Sequence, residues 1–258
     1  MILHTKANHR DLLIELIRTN FKLRYNNSIL GFFWVLMKPF LYFLMLFVVF
    51  TAFRGGQASA EYGANLLLGI IIYTLVNEGV IFGMHALTDL AGVILKVNFP
   101  RQVAVTSAVF MAVVNFAFNT VILLVLAVLG SFAPTLEGLL YFIFILSMTI
   151  FALYSISLFS SILLVKIRDL HHIMELVMQL VFWGSAVFYS IDDMSGAFGQ
   201  LIRLNPLALI IHASRRALLE GDIIHVKAML TMAVVTFILY FLGSLYFRKN
   251  IKRIAEFI

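Results

Sequence analysis

Six long apolar stretches, separated by short loops, constrain the fold of this 258-residue chain more than any other feature. In chain order they cover residues 29–53, 65–84, 102–130, 139–165, 173–191 and 226–247. Each meets or approaches the roughly 20 apolar residues that a helix needs to cross about 30 Å of hydrocarbon. Backbone groups in that layer have no water to bond, and the apolarity is continuous rather than alternating, so the stretches predict helices. The predicted fold class is an all-α integral membrane protein with six transmembrane helices.

The composition supports the same fold class. The chain is 62% hydrophobic and 12% charged, with a mean hydropathy of +1.00, which excludes an ordinary soluble globular domain. It has no cysteine, so disulfides and thiol chemistry are excluded as well. Residues 1–28 are charged throughout and lack the short apolar core of a cleavable signal peptide.

The distribution of Lys and Arg predicts the orientation of the chain. With the N-terminus in the cytoplasm, 13 of the 19 Lys and Arg fall in cytoplasmic segments, five fall outside, and Lys38 lies within the first span. The positive-inside rule selects this arrangement, in which both termini are cytoplasmic. The net charge of +6 follows mostly from it, so a nucleic-acid-binding patch is the weaker explanation.

The first 28 residues predict an amphipathic helix before the first span. Charged residues occupy one side, and the other side carries apolar residues at helical spacing, which are Leu13, Leu16, Ile17 and Phe21. We expect this helix to lie along the inner membrane surface, although a helix packed on a soluble partner has the same pattern. Residues 1–258 as a whole predict one transmembrane unit, since the sequence shows no internal repeat.

The loop at residues 85–101 is the longest predicted cytoplasmic connection. Its sequence favours a short helix that ends before Pro100, because a proline displaces the preceding residue from the helical region. Two spans would hold this helix at the cytoplasmic face, where it offers a contact for a soluble partner. A plain connecting helix is the alternative.

Residues 192–225 predict a hairpin on the outer side of the membrane. Asn205 and Pro206 are typical of a helix start and Gly221 of a helix end, so the helix has about fifteen residues. Its length of about 22 Å is too short to cross the membrane. One stripe of this helix is polar and contains His212, Arg215, Arg216 and Glu220. We expect a re-entrant or interfacial hairpin, with an amphipathic helix on the outer leaflet as the alternative.

A series of short motifs runs along nearly the whole chain. The series is Arg24-Tyr25, Ser28, Leu30-Gly31, Trp34 and Pro39, then Leu95-Lys96 and Asn98-Phe99-Pro100, then Arg168-Asp169, Ile173, Phe182-Trp183, Tyr189, Asn205-Pro206 and an arginine at 215 or 216. In this order the motifs resemble the permease subunits of ABC-2 type transporters that export lipid-linked polysaccharides such as O-antigen, capsule or teichoic acid. Lys38 departs from the pattern, because the family has a neutral residue before this proline.

The resemblance implies a half-transporter of the bacterial inner membrane that forms a homodimer and binds two copies of a separate ABC ATPase. ATP and magnesium would be bound by that partner, because this chain lacks the G-x-x-x-x-G-K-S/T loop. We therefore predict no catalytic residue, no cofactor and no metal in this chain. By resemblance, residues 85–101 would be the coupling helix, and the residues expected to contact the ATPase are Asp89, Leu95, Lys96, Asn98, Phe99 and Pro100.

The resemblance also implies a wet path along which a glycan moves through many weak contacts. Aromatic faces suit sugar rings, and the candidates are Phe32, Phe33, Trp34, Phe182, Trp183, Phe188 and Tyr189. Contact with lipid is the alternative for each of them, because the chain has 25 Phe and 9 Tyr to place.

Basic residues near both membrane surfaces are candidates for binding the phosphate or pyrophosphate of a lipid carrier. At the inner entrance they are Lys22, Arg24, Lys38 and Arg101, and at the outer exit they are Arg203, Arg215 and Arg216. Snorkelling to membrane phosphates is the alternative. Lys38 is the exception, since a charge this far into a span usually faces water or a partner.

Acidic and histidine residues suggest two further possibilities. Glu78 lies within an apolar run and should be protonated, paired or water-facing. Asp169, His171, His172 and Glu175 could form a metal or acid–base cluster. Metal sites usually need three or more convergent ligands, and no second His-acid cluster in the sequence is placed to help, so contact with the ATPase is the simpler interpretation.

Three other functions remain as alternatives. An ABC-2 drug or lipid efflux permease would have a narrower path with fewer aromatic residues. An intramembrane enzyme acting on lipid-linked sugars would need the cluster at residues 169–175. A channel would need a selectivity filter or a ring of like charges, which the sequence lacks.

Overall fold

A computed structural model describes residues 13–19, 31, 33–53, 59–94, 100–129, 134–192 and 194–252. All regular secondary structure in these ranges is helical. Five of the described helices are long and apolar enough to cross a membrane. The predicted all-helical membrane fold is therefore confirmed, while the number of complete spans among the described residues is five rather than six.

The helices follow one another in a simple order. Residues 13–19 are the described part of α1, and they are followed by α2 (Phe33–Phe53), α3 (Ala60–Asp89), α4 (Ala91–Ile94), α5 (Gln102–Leu129) and α6 (Leu136–Lys166). Then come α7 (Leu170–Gly184), α8 (Gly196–Arg203), α9 (Pro206–Arg215) with a π-helical turn (Arg216–Glu220), and α10 (Val226–Asn250). The helices of membrane-spanning length are α2, α3, α5, α6 and α10.

The fifth predicted span differs from the structure. The helix expected over residues 173–191 ends at Gly184, and the backbone then turns at Ser185 and Ala186. The φ of Ala186 is +55°. Helix α7 has 15 residues and is therefore only about 22 Å long, too short for a complete crossing. The prediction of a continuous helix is wrong beyond Gly184.

Helix α3 lies at the centre of the bundle. In its most apolar window 61% of the residues are buried inside the protein, against 22% for α2 and 17% for α10. Leu67, Leu68, Ile71 and Leu75 of α3 are at most 1% exposed. The outer helices instead expose many large apolar side chains, as expected where lipid replaces protein as the neighbour.

Two glycines let α3 approach α6 closely. A Cβ at Gly79 would lie 2.6 Å from Leu153 Cδ1, and a Cβ at Gly83 would overlap the Ser157 hydroxyl. The two glycines are four residues apart and so lie on one face of α3. In lipid there is no hydrophobic driving force for apolar helices to associate. Close van der Waals contact, which small residues permit, holds such helices together instead.

The bundle has two ends, which we name from the segments found there. At the termini side, Leu16 of α1 packs in one apolar cluster with Leu87 of α3 and Phe247 of α10. At the hairpin side lie the starts of α3 and α6 together with residues 185–225. Helix α7 begins at the termini side, because His171 contacts His85, and α10 begins at the hairpin side, because His225 contacts His212.

Side-chain caps set the helix starts at the hairpin side. Ser59 accepts a hydrogen bond from the backbone N–H of Tyr62, and Thr135 accepts one from Gly138, each at 3.1 Å. The predicted helix at 206–220 is confirmed. Asn205 caps it by accepting from Leu207 N–H at 3.0 Å, Pro206 occupies the first turn, and Gly221 ends it with a φ of +75°.

We predict that replacing Gly83 by alanine destabilises the bundle, because the new Cβ would lie 2.5 Å from Ser157 Cβ. Overpacking of this kind costs about 1–3 kcal/mol. The apparent melting temperature of Gly83→Ala, measured by size exclusion after heating the purified protein, should fall. Adding Ser157→Gly should restore part of the loss.

Gly92→Ala is the matched control, because a Cβ added at Gly92 meets nothing within 4 Å. A melting temperature that Gly83→Ala leaves unchanged would contradict the close approach of α3 and α6.

Candidate functional site

A cavity of about 860 Å³ opens between α2, α3 and α7, in the half of the bundle nearer the termini side. We call it the first cavity. Its aromatic lining consists of Trp34, Tyr42, Tyr73, Phe82, Phe182 and Trp183. Its polar lining consists of Lys38, Thr74, Asn77, Glu78, Glu175 and Gln179. Aromatic faces beside hydrogen-bonding groups form the kind of wall that sugar rings can contact in several ways.

The predicted charge inside the first span lines this cavity. Lys38 is exposed, one residue before Pro39 in α2. Glu78 of α3 lines the same cavity, and its carboxylate accepts a hydrogen bond from the buried side chain of Asn115 at 2.7 Å. Because Lys38 and Glu78 face the cavity rather than the core, both charges can be hydrated.

A second cavity of about 390 Å³ lies at the hairpin side between the start of α3, residues 187–192 and α9. We call it the second cavity. Its lining is mainly polar and consists of Ser59, Glu61, Tyr62, Asn65, Tyr189, Ser190, Asp192, His212, Arg215, Arg216 and Glu220, beside Leu66, Val187 and Phe188. Groups of both charge signs therefore surround this opening.

Arg215 is the most deeply buried charged residue of the described part of the chain, with 7% of its surface exposed. Its guanidinium donates hydrogen bonds to the backbone carbonyls of Ala186, Val187 and Tyr189, and its Nε donates to Asn65 O at 2.8 Å. The partners of Arg215 in this conformation are therefore carbonyls of α3 and of the segment after α7, while lipid-phosphate binding by Arg215 stays a prediction.

The neighbouring Arg216 has different partners. It forms ion pairs with Glu220, four residues later, and with Asp222 at 2.7 Å. Burial raises the pKa of the Glu220 carboxyl, while the positive charge of Arg216 opposes that rise. Arg215 and Arg216 are therefore held by protein groups in this conformation, the first inside the hairpin and the second near its surface.

His212 links α9 to two loops. Its Nε2 lies 3.1 Å from Asp192 Oδ2, and its Nδ1 lies 3.2 Å from His225 Nε2. Burial lowers the pKa of His212, and the nearby Asp192 carboxylate works in the opposite direction. The imidazole thus joins the segment after α7 to the start of α10 through α9.

A chain of ring contacts connects the two cavities. Phe182 lies 4.8 Å from Tyr73 and 5.5 Å from Trp183 between ring centroids, and Trp183 lies 5.3 Å from Phe188. Phe188 in turn lies 5.0 Å from Tyr189, which lines the second cavity. Four predicted aromatic residues, Phe182, Trp183, Phe188 and Tyr189, are therefore brought together.

The remaining predicted residues have other positions. Phe33 and Arg203 are exposed outside both cavities, and the Arg101 guanidinium donates to the backbone carbonyl of Ile251. Asp89 and Pro100 are exposed at the termini side. Seven predicted site residues lie outside the described residues: Lys22, Arg24, Phe32, Leu95, Lys96, Asn98 and Phe99.

Several cavity residues were not predicted. Tyr42, Tyr73, Asn77 and Gln179 line the first cavity, and Tyr73 donates a hydrogen bond to Met178 O at 2.9 Å. A signal was present in α2, where Trp34, Lys38 and Tyr42 recur every four residues on one face. The polar Asn77 within the apolar run of α3 was a second signal.

The histidine and acid cluster differs in one member from the one that the sequence suggested. His171 Nε2 lies 3.3 Å from Glu175 Oε1, and His172 Nδ1 lies 3.8 Å from Glu175 Oε2. His85 of α3 joins them, with its Nε2 3.0 Å from His171 Nδ1. Asp169, by contrast, is exposed at the start of α7 and forms no side-chain cap.

Comparison with known proteins identifies similar proteins and a matching family. The profile of the ABC-2 type transporter family matches residues 11–219. The O-antigen export system permease protein RfbA of Myxococcus xanthus is 27% identical over 250 residues, which are 96% of this chain and 95% of that protein. Two proteins of the same name from Klebsiella pneumoniae are 25% and 24% identical over 246 residues, which are 95% of this chain and 94% of theirs.

These similarities cover nearly all of the helical bundle described above. The membrane-length helices and the permease relatives together make the chain a multi-pass bacterial membrane protein. Since the family profile matches well over half of its residues, the chain belongs to the ABC-2 type transporter family.

Proposed function

We propose that this chain is the membrane-spanning subunit of an ATP-driven exporter that moves a lipid-linked polysaccharide out of the cytoplasm. The observation that carries the proposal is the chain of aromatic rings that joins two cavities, each with hydrogen-bonding groups in its lining, on opposite halves of the bundle. The relatives named as O-antigen export permeases support the class of substrate, because their similarity spans the whole bundle rather than one helix.

In the proposed orientation the termini side is cytoplasmic and the hairpin side faces outward. Six crossings are needed for this topology, and the incomplete one is made by α7 together with residues 185–192. Support comes from the direction of the neighbouring helices, because α7 begins beside His85 at the termini side and α10 begins beside His212 at the hairpin side. Residues 192–225 form the re-entrant hairpin, and α1 lies along the inner surface with Leu16 buried against α3 and α10.

The first cavity is the inner entrance and the second cavity is the outer exit. Lys38 receives the phosphate or pyrophosphate of the carrier lipid, since among the described residues it is the cation that lines the entrance. Asn77, Glu78 and Gln179 supply donors and acceptors for sugar hydroxyls. The aromatic rings then offer many weak contacts in series, so no single sugar is held tightly enough to stop movement.

The proposed assembly contains two copies of this chain and two copies of an ABC ATPase. Residues 85–101 form the coupling helix that docks into the ATPase, which binds ATP and magnesium. All of residues 1–258 form one transmembrane domain without a catalytic role. The support is the position of Asp89 and Pro100, which are exposed at the same end of the bundle.

The direct test is reconstitution in proteoliposomes of this chain with an ABC ATPase that copurifies with it. Lipid-linked glycan should cross the bilayer only when both chains and ATP are present. Transport of drugs or simple lipids in place of the glycan would favour the efflux permease, and turnover of the lipid-linked sugar by this chain alone would favour the enzyme.

We predict that Trp183→Leu lowers export strongly, because the indole is 53% exposed beside the first cavity and stands between Phe182 and Phe188. Loss of one aromatic contact of about 0.5–1.5 kcal/mol corresponds to a several-fold drop in rate. Trp183→Phe should retain most export. Surface glycan in cells that depend on this chain is the measurement.

Phe237 of α10 provides the matched control, since it is 64% exposed but lines neither cavity. Phe237→Leu should leave export unchanged. Equal losses in the Trp183→Leu and Phe237→Leu variants would show that aromatic contact with lipid, rather than with the glycan, explains the effect.

We predict that Lys38→Met lowers export more than it lowers the amount of protein in the membrane, because the entrance loses the cation proposed to bind phosphate. Lys38→Arg should retain part of the activity. The matched control is Lys227→Met, which removes an exposed charge at the start of α10. Normal export by Lys38→Met would exclude Lys38 from the substrate path.

We predict that replacing both Phe99 and Pro100 by alanine uncouples ATP hydrolysis from export while leaving membrane insertion intact. ATPase activity and glycan transport should be measured on the same reconstituted complex. Pro134→Ala, an exposed proline at the opposite end before α6, is the control. Unchanged export in the double variant would contradict the coupling role of residues 85–101.

A further inference from the structure

Three side chains in the first two turns of α7 converge on one point at the termini side. One ring nitrogen from each of His171 and His172 and one carboxylate oxygen of Glu175 lie within 4.8 Å of one another. The spacing follows from the helix, because residues three and four apart lie on one face. The side chains of His171, His172 and Glu175 are 32%, 79% and 57% exposed, so an ion from solution can reach them.

The contacts of His85 are compatible with a tautomer that leaves His171 Nε2 available to a metal. Thr88 donates its hydroxyl proton to His85 O at 2.9 Å, so the Thr88 oxygen can accept from His85 Nδ1–H, 3.5 Å away. With its proton on Nδ1, His85 presents an Nε2 lone pair to His171 Nδ1 at 3.0 Å. In this tautomer His171 has its proton on Nδ1 and a lone pair on Nε2, which is the form that binds a metal through Nε2.

His171 Nε2 lies 3.3 Å from a carboxylate oxygen of Glu175. In the tautomer described above, this nitrogen and this oxygen are both electron-pair donors and can bind one cation between them. A divalent cation at about 2.0–2.1 Å from each ligand in tetrahedral geometry places its ligand atoms about 3.3 Å apart. The observed separation matches that value without any movement of His171 or Glu175.

We propose that His171, His172 and Glu175 bind one divalent transition-metal ion of the zinc type, with His85 as a positioning residue. Two imidazoles and one carboxylate suit zinc better than magnesium or calcium, which prefer oxygen ligands. A metal-bound histidine usually donates the N–H of its other ring nitrogen to a neighbouring acceptor. For His171 that acceptor is His85. The exposed His172 ring needs only a small rotation to complete the set.

The site would act on the position of α7 relative to α3. His85 is four residues before Asp89, where α3 ends, and Glu175 also lines the first cavity. A bound metal would fix the orientation of the His171 ring, whose Nδ1 contacts His85, and so favour the contact between the first turn of α7 and the end of α3. Metal binding would therefore restrict the helix that forms one wall of the proposed entrance.

The other histidine pair in the described residues does not form such a site. His212 uses Nδ1 toward His225 and Nε2 toward Asp192, so its two nitrogens point at different partners. No single point is shared by three ligand atoms there. His225 therefore serves as the control histidine.

The test uses the full-length chain purified with a tag that contains no histidine, stripped of metal and placed in lipid nanodiscs. Titration calorimetry with Zn²⁺ near neutral pH measures affinity, and elemental analysis after desalting counts bound zinc. We expect one zinc per chain. Loss of a residue that hydrogen-bonds a metal ligand weakens metal binding roughly 10- to 100-fold. His171→Ala and Glu175→Gln each remove a ligand itself, so they should weaken zinc binding at least as much.

Two further variants separate positioning from general damage. His85→Ala should weaken zinc binding about 10-fold or more, while His85→Gln, whose carbonyl oxygen can accept the same N–H, should restore it. His225→Ala should bind zinc as the unaltered chain does, and excess Mg²⁺ should not displace zinc. Absence of saturable binding, equal binding by all variants or displacement by Mg²⁺ would overturn the proposal.

Discussion

The structure of the hairpin side depends on which donors form hydrogen bonds with the backbone carbonyls after α7. The carbonyls of Ala186, Val187 and Tyr189 have left the helix, and an unpaired carbonyl at membrane depth costs several kcal/mol, roughly. Arg215 donates to all three and also to α3. Gly69 of α3 leaves the necessary room, because a Cβ there would lie 2.9 Å from Val187 O. One buried cation thus joins α3, α9 and the interrupted α7, and this junction forms the floor of the second cavity.

The same interruption shapes the proposed path. Because α7 ends at Gly184, Phe188 turns back toward Trp183 and stacks on Phe50 of α2 with ring centroids 4.7 Å apart. A continuous helix would have carried Phe188 and Tyr189 onward around its axis instead. The break therefore gathers aromatic residues from α2 and from both sides of the turn between the two cavities. The hydrogen bonds of Arg215 and the continuity of the aromatic chain are two results of one local event.

Sequence patterns predicted the features that depend on residues close together in the chain. Asn205, Pro206 and Gly221 set the bounds of the hairpin helix because capping is local. The end of α7 could not be found in this way, since residues 185–191 are largely apolar and Ala186 adopts its positive φ beside a carbonyl bound by Arg215. Likewise, His85 and His171 are 86 residues apart, so no spacing rule connects them. Such contacts depend on how α3 packs against α7, which sequence periodicity does not specify.

The π-helical turn at Arg216–Glu220 constrains the number of residues in the hairpin. A π-helical turn is equivalent to one residue inserted into an α-helix. Arg215, just before this turn, faces the interior, and Arg216, its first residue, pairs with Glu220 and Asp222. A deletion of one residue in this turn would rotate everything after it by about 100° relative to α9. During divergence of such proteins, exchanges of side chains in this turn are therefore easier to accommodate than changes in its residue number.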